Sequence, residues 1–438
     1  MNPERTVELF LVSLPTNKPM ALSKRIGVLC TLDTKGEHAR LVKSLIEDRG
    51  HEAVLIDIGV LGEPTLAPTI ARAEVARSGG LELRDLVASR DRGKALEVMT
   101  AGATAILIRL FRENKLDGVI GIGGGGGTAV ASAAMRRLPI GVPKVMVSTM
   151  AGSGKAAAYV GTRDIVMVPT ITDIIGINPI LRSALTNGTA AICGMAEMGV
   201  GAGQLRDAGG RPTVAITAFG VTTPAAMYCH ELLTQAGCET LVFHANGTGG
   251  RAMEELIEQN LIDAVLDLTT TELADELCGG QLSAGPHRLE AAGAHGLPQV
   301  VIPGAMDMVN FATPETVPPK YGGRHFYQHS PATRLMRTTV QENEILGRWV
   351  GEKLARAKRP AVLVLPLRGF SEYDKEGGVF YDPEADQAFI DAAVAALGDR
   401  GNIVRLDAYI NDPICAETAV AQLISLLRAD STRAGNIA

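Results

Sequence analysis

Asp117-Gly-Val-Ile-Gly-Ile-Gly-Gly-Gly-Gly-Gly-Thr128 decides the fold: an aliphatic run passes straight into five glycines, and Ala129–Met135 continues as a helix of small residues. A strand that is apolar on both faces belongs in a parallel sheet covered by helices on each side. Glycines at the carboxyl end of such a strand let backbone N–H groups and the helix dipole meet an anion with no side chain in the way. Outward from this stretch, Leu83–Phe111 carries helical spacing, and Val142–Ser148 and Asp164–Pro169 read as further strands. Upstream, the strand Arg25–Leu32, the turn Asp33-Thr-Lys-Gly36, a helix with Leu41, Leu45 and Ile46 on one face, and the strand Ala53–Ile58 make a βαβ opening. Gly62–Gly80 reads as loop.

The same alternation restarts after the Gly-rich polar stretch Gly201–Pro212. Strands are expected at Thr213–Phe219 and near Thr240–His244, Ala264–Leu268, Gln299–Ile302, Ala361–Leu365 and Asn402–Leu406, with an irregular passage from Asp307 to Ser330. The fold class is therefore α/β, with two Rossmann-like domains, each a mostly parallel sheet with helices on both faces. We place an N-terminal extension at 1–19, a first domain at 20–203, a second at 204–428 and a flexible tail at 429–438. A chain of 438 residues exceeds the roughly 250–300 at which one core stops growing, which also calls for two domains.

Composition narrows the function. With 42 Lys+Arg against 48 Asp+Glu the net charge is −6 and no basic stripe is present, so nucleic acid is not an expected ligand. The six cysteines are scattered without a CxxC pair, which argues against a zinc ribbon or a disulfide framework and suits a reducing cytoplasm. No apolar run approaches the ~18 residues a membrane span needs. The expected location is cytoplasmic.

The polar residues gather at expected strand ends. Gly121–Gly126 satisfies GxGxxG, but no Asp or Glu occurs from Gly118 to Arg163, where a nicotinamide cofactor wants an acid about 20 positions on. Met150–Ala156 lacks the glycine and the hydroxyl of a Walker loop. Asp33, Thr34 and Lys35 belong at the same sheet edge, as do Ser148, Thr149 and Lys155, with N-capping as the plain alternative for Asp33 or Thr34. In the second half Phe243-His-Ala-Asn-Gly-Thr-Gly-Gly250 joins a strand to a helix, a second candidate anion cradle. A second-domain site at strand ends would draw on His244, Asn246, Gly249, Gly250, Asp267, Glu272, Arg288 and Asp307, of which His244, Asp267, Glu272, Arg288 and Asp307 are the candidate catalytic residues. His325 and His329 have a spacing that suits a metal only if helical, and the surrounding Pro and Gly argue otherwise, so no metal ligands are assigned.

Taken in order, Asp33-Thr-Lys35, Gly121–Thr128, Pro143–Thr149, Phe219–Pro224, Phe243–Glu254 and Asp267–Leu273 resemble one family: the uncharacterised bacterial family homologous to the N-terminal ATP-binding region of the tomato mosaic virus resistance protein. The resemblance runs from about Met20 to beyond Asp386. It implies ATP with Mg²⁺ in the first domain, and a homodimer. It implies that the nucleotide is held by Asp33, Thr34 and Lys35, by the loop Gly123, Gly124, Gly125 and Gly126, and by Arg92, the arginine before a glycine at a helix start, and the same loop is expected to extend the contact to Gly127 and Thr128. No settled reaction comes with it. The leading expectation is an ATP-dependent enzyme acting on a polar small molecule at the interdomain cleft. The alternatives are a nucleotide-sensing interaction module and an ATP-independent hydrolase or lyase using the second domain.

Overall fold

The protein is described by a computed structural model covering residues 23–199, 205 and 209–435. The expected extension 1–19 and most of the expected linker 201–212 lie outside the described residues. The chain divides into two compact units at Ala202/Gly203.

The first unit runs β1 (Arg25–Cys30), α1 (Leu32–Asp48), β2 (Glu52–Asp57), α2 (Arg72–Ser78), α3 (Leu83–Ser89), α4 (Arg92–Arg112), β3 (Gly118–Gly123), α5 (Gly125–Met135), β4 (Lys144–Ser148), α6 (Ala156–Val160), β5 (Val166–Pro169) and α7 (Pro179–Met198). Its five strands are all parallel in the order β2-β1-β3-β4-β5. Strand alternation splits the core by face. Ile26, Val28, Ile120, Ile122, Val145 and Val147 pack against α1 and α7, while Leu29, Val119 and Met146 pack against α2, α4 and α5. Each such side chain contributes about 1.5–3 kcal/mol by leaving water, which is why the strands read as unbroken aliphatic runs.

Two expectations need correction here. Part of Gly62–Gly80 is helical, since α2 buries Val75 and Ala76. The helical stretch expected at Leu83–Phe111 is two helices, because Arg90 turns left-handed (φ 51°) and the Asp91 side chain caps α4 by accepting from Lys94 N–H at 3.0 Å.

The second unit runs β6 (Thr213–Ala218), α8 (Thr223–Gln235), β7 (Glu239–His244), α9 (Thr248–Glu258), β8 (Ala264–Thr269), α10 (Glu272–Cys278), α11 (Ala291–His295), β9 (Gln299–Gly304), β10 (Met308–Phe311), β11 (Phe326–Ser330), β12 (Thr333–Arg337), α12 (Val340–Ala355), β13 (Val362–Pro366), α13 (Pro383–Leu397), β14 (Asn402–Leu406) and α14 (Pro413–Gly435). Six strands form a parallel sheet in the order β14-β13-β9-β8-β6-β7. Helices α8 and α14 cover one face, and α12, α13 and α9 the other. Both units thus place their second strand outside the first and continue on the other side, leaving a switch point between β1 and β3 and between β6 and β8.

The passage expected to be irregular from Asp307 to Ser330 holds two strands of a small antiparallel sheet, β10-β12-β11. The strands are only four or five residues long and are separated by tight turns at Pro314–Thr316 and Pro319–Tyr321, whose prolines mask the alternation. The helix α14 continues to Gly435, past the residue 429 at which a tail was expected. Among the described residues no helix is long and apolar enough to cross a membrane.

Candidate functional site

In the first unit a cavity of about 610 Å³ opens at the carboxyl ends of β1, β2 and β3, on the switch point of the sheet. Its size falls within the range of small-molecule sites. Two kinds of surface meet in it. Ile58, Val60, Leu86, Leu96, Met99 and Val130 make an apolar wall, while Thr31, Asp33, Thr34, Arg92, Gly126 and Gly127 make a polar one.

The glycines divide the labour. A Cβ on Gly121 would lie 2.5 Å from the Met146 sulfur and 3.0 Å from the Ala131 Cβ, so this glycine lets α5 close on the sheet. A Cβ on Gly123 would lie 2.8 Å from the Gly127 carbonyl carbon, so it closes the turn. Gly124 is the N-cap of α5 and offers no side-chain cap, which leaves the first-turn N–H donors of Gly125, Gly126 and Gly127 without intrahelical partners. Gly125 faces open space, and a Cβ on Gly126 would lie 3.8 Å from Arg92 Nη2. Backbone donors, the positive end of an eleven-residue helix and a guanidinium therefore converge on one wall.

Asp33 is fixed from behind. Its Oδ2 accepts from Leu61 N–H at 3.0 Å and Gly62 N–H at 3.1 Å, while its buried Oδ1 has no partner. Thr31 and Thr34 hydroxyls lie 3.0 Å apart beside it. Behind them the buried Asp57 Oδ1 accepts from Leu32 N–H at 3.1 Å and Gly59 N–H at 2.9 Å, bolting the β1–α1 turn to the loop after β2. Burial pushes the Asp57 carboxyl above its usual range.

Five of the expected nucleotide residues, Lys35, Gly123, Gly124, Gly125 and Thr128, are not among those lining the cavity. Lys35 sits at a non-helical kink in α1 (φ −130°, ψ 22°). Thr128 is fully buried, its hydroxyl 3.2 Å from Gly123 O and 2.6 Å from Ser148 Oγ, so it holds the loop to β4. The apolar wall from α3 and α4 and the loop Gly59–Leu61 escaped sequence reasoning, although the Asp57-Ile-Gly59 strand end was a signal for the latter.

In the second unit the candidate catalytic groups are largely engaged with one another. Arg288, fully buried, meets Asp267 through two bonds (2.5 and 2.6 Å), Glu272 at 2.6 Å and Glu254 at 3.3 Å. Glu272 Oε1 accepts from Gly247 N–H at 2.6 Å and Gly250 N–H at 3.0 Å. A Cβ on Gly250 would overlap that carboxylate, so the second anion cradle already holds an anion, the chain's own. Of the expected second-domain residues, Asp267, Glu272 and Arg288 are thus paired with one another, and Gly250 lies against Glu272, as buried ions persist only when paired. Asn246 closes the adjoining turn by accepting from Gly249 N–H at 3.2 Å. His244 is exposed on the edge strand β7 and stacks on Phe219 with centroids 5.4 Å apart.

Asp307 belongs to a separate buried group. Its Oδ2 accepts from the Ser371 hydroxyl at 2.8 Å, and its Oδ1 has no partner. Arg337 Nη2 donates to Asp374 at 3.0 Å and Asp386 at 2.7 Å. Burial pushes the Asp307 carboxyl up to about 6, against the pull of Arg337, and burial with neighbouring carboxylates raises Asp374 further. His329 lies on a strand and its Nδ1 is 2.8 Å from the Tyr373 hydroxyl, while His325 meets the edge of Phe380. Burial also pushes the thiols of Cys30, Cys229, Cys278 and Cys415 up to about 12, so none is a ready nucleophile.

Comparison with known proteins adds a family to this geometry. The chain matches the N-terminal domain of the uncharacterised protein family UPF0261 over residues 24–200 and its C-terminal domain over residues 211–427. It is 47% identical over 407 residues to a UPF0261 protein of Clostridium tetani, covering 93% of this chain and 100% of that protein. It is 40% identical over 343 residues to the ToMV resistance protein Tm-1(GCR237) of Solanum lycopersicum, covering 76% of this chain and 45% of that protein. A solved glycosyltransferase, SnogD from Streptomyces nogalater, aligns over 92% of this chain and 99% of its own at 13% identity, with a TM-score of 0.20 that supports no inference.

Proposed function

The chain belongs to the uncharacterised protein family UPF0261, and on that premise we propose that its first unit binds ATP with Mg²⁺ in the cavity at the ends of β1, β2 and β3. The observation that carries this reading is the junction of an apolar wall with uncapped glycine N–H groups and Arg92 in one cavity of nucleotide size. Leu86, Leu96 and Met99 take the base. Gly125–Gly127 N–H groups and the Arg92 guanidinium donate to phosphate oxygens, and the unpartnered Asp33 Oδ1 accepts a ribose hydroxyl or meets the cation. Among the described residues no group of three or more His, Cys, Asp or Glu could hold a metal, so Mg²⁺ fits here as an ion carried by the phosphates and, at most, one carboxylate.

Calorimetric titration of the full chain with ATP and Mg²⁺ tests this reading. Saturable binding at one site per chain is expected, with loss of binding in Gly126→Val at unchanged circular dichroism. No heat in the native chain, or full affinity in the variant, overturns it. The internal pairing of Arg288, Asp267 and Glu272 favours a second reading beside the enzyme one, a module whose partner binding responds to ATP. Release of phosphate during the same titration separates turnover from sensing.

A further inference from the structure

The cavity at the ends of β1, β2 and β3 has a mouth that the nucleotide reading leaves unused. Leu61 and Val87 line the cavity yet are 85% and 47% exposed, so they stand at its opening, whereas Leu86 and Met99 are buried in its wall. A lone exposed leucine needs no explanation. Two aliphatic side chains at the opening of a cavity do, because their apolar area stays in water until a ligand covers it. Leu61 is also held in place: its N–H donates to Asp33 Oδ2 at 3.0 Å, which ties its loop to the β1–α1 turn.

Arg90 lines the same cavity, and its backbone is strained. It caps the carboxyl end of α3 in the left-handed conformation, at φ 51° and ψ 19°. Helices α10 and α11 also end on left-handed residues, and there the chain uses Gly279 and Gly296. Glycine adopts that conformation without a Cβ penalty, so an arginine at the end of α3 needs a reason that lies in its side chain. Capping is not that reason, since it is the Arg90 backbone N–H that closes the helix, donating to Val87 C=O at 3.3 Å. Nor is an ion pair, since among the described residues the exposed guanidinium has no carboxylate partner. The other charged groups lining the cavity have roles already: Asp91 caps α4, Asp33 holds Leu61 N–H and Gly62 N–H, and Arg92 stands beside Gly126. Arg90 is the cation left over.

We propose that the mouth of this cavity binds a second ligand, a carboxylate with an alkyl body, whose chain lies on Leu61 and Val87 and whose head pairs with Arg90. The proposal rests on the nucleotide reading only in leaving Arg92 and the glycine N–H groups to phosphate. An apolar body answers the two exposed aliphatic side chains, which a triphosphate cannot cover favourably. A carboxylate head suits a single free guanidinium, because its two coplanar oxygens accept two parallel N–H bonds. A phosphate head would go instead to the uncapped N–H groups at the start of α5.

Calorimetric titration of the full chain with butanoate, hexanoate, octanoate and the uncharged octanamide tests the proposal, each with and without ATP and Mg²⁺. Octanoate should saturate one site per chain, the series should tighten by up to about fourfold for each added methylene, and octanamide should bind about tenfold or more weaker than octanoate. Arg90→Gly keeps the left-handed turn and removes the guanidinium, so it should erase the difference between octanoate and octanamide. Leu61→Ser should flatten the dependence on chain length, and neither variant should alter ATP affinity. Octanoate uptake that never saturates, or saturable binding that both variants leave unchanged, is surface adsorption only and overturns the proposal. The two readings fail separately: octanoate heat without ATP heat overturns the nucleotide and keeps the carboxylate, and ATP heat without octanoate heat does the reverse.

Discussion

Arg92 lines the cavity 3.8 Å from where a Gly126 Cβ would stand, whereas Lys35 lies in the kink of α1 outside it. A charge-assisted hydrogen bond contributes about 1.5–3 kcal/mol, so Arg92→Ala should lower ATP affinity roughly ten- to hundredfold. Arg92→Lys should recover part of the loss, and Lys35→Ala should stay within about twofold of the native chain, both read by calorimetry. Arg288 makes the opposite kind of case. Its removal would leave Asp267 and Glu272 buried without a cation, at a cost of about 3–5 kcal/mol. The single tryptophan, Trp349, packs against the core of the second unit, so its fluorescence in urea follows that unit. Arg288→Ala should shift that transition strongly. If stability instead holds and only an activity disappears, Arg288 serves a substrate after all.

Helices α12 and α13 show how closely two elements can be set by glycine. A Cβ on Gly347 would overlap the Phe389 carbonyl oxygen, and one on Gly351 would lie 2.5 Å from Ala393 O. Two effects compete in Gly347→Ala. Helix propensity favours alanine by about 1 kcal/mol, and overpacking against backbone costs about 1–3 kcal/mol. Backbone cannot step aside as a side-chain tip can, so the clash should win, and the tryptophan-detected urea midpoint should fall with little change in slope. A raised midpoint would show that the helices slide apart freely. The α5 terminus obeys the same geometry with a different outcome, since Gly125 faces open space and is free to meet a ligand.

Across the molecule, buried carboxylates outnumber their cations in the second unit: Glu254, Asp267 and Glu272 share Arg288, and Asp307, Asp374 and Asp386 surround Arg337. Burial raises Asp307 to about 6 and Asp275 to about 7. A carboxyl raised on folding keeps its proton in the native state after the unfolded chain has lost it. Its stabilisation is therefore complete below about pH 4 and is lost as pH rises through those values. Glu290 and Glu342 are lowered by Lys353 and Arg324 despite burial, and they act in the other direction only below their ordinary range. Between about pH 4.5 and 7.5 the raised groups should dominate, so the tryptophan-detected stability should fall as pH rises. Asp307→Asn, which keeps an acceptor for Ser371, should flatten that fall. A stability that climbs over the same window would contradict this assignment.

By itself the sequence determined the two parallel sheets, because strands buried on both faces must be aliphatic throughout and their helices must carry one apolar stripe. It also determined that glycines follow β3, and hence where an anion can approach. It did not reveal the small antiparallel sheet, whose strands are too short for alternation to stand out between prolines. Nor did it separate free polar groups from satisfied ones. The glycine loops after β3 and β7 look alike in sequence, yet Glu272, twenty-five residues beyond Gly247, folds back to fill one, while uncapped N–H groups line the cavity at the other. That distinction belongs to tertiary structure alone, since which carboxylate meets which N–H depends on contacts between residues far apart in the chain, and no local pattern encodes them.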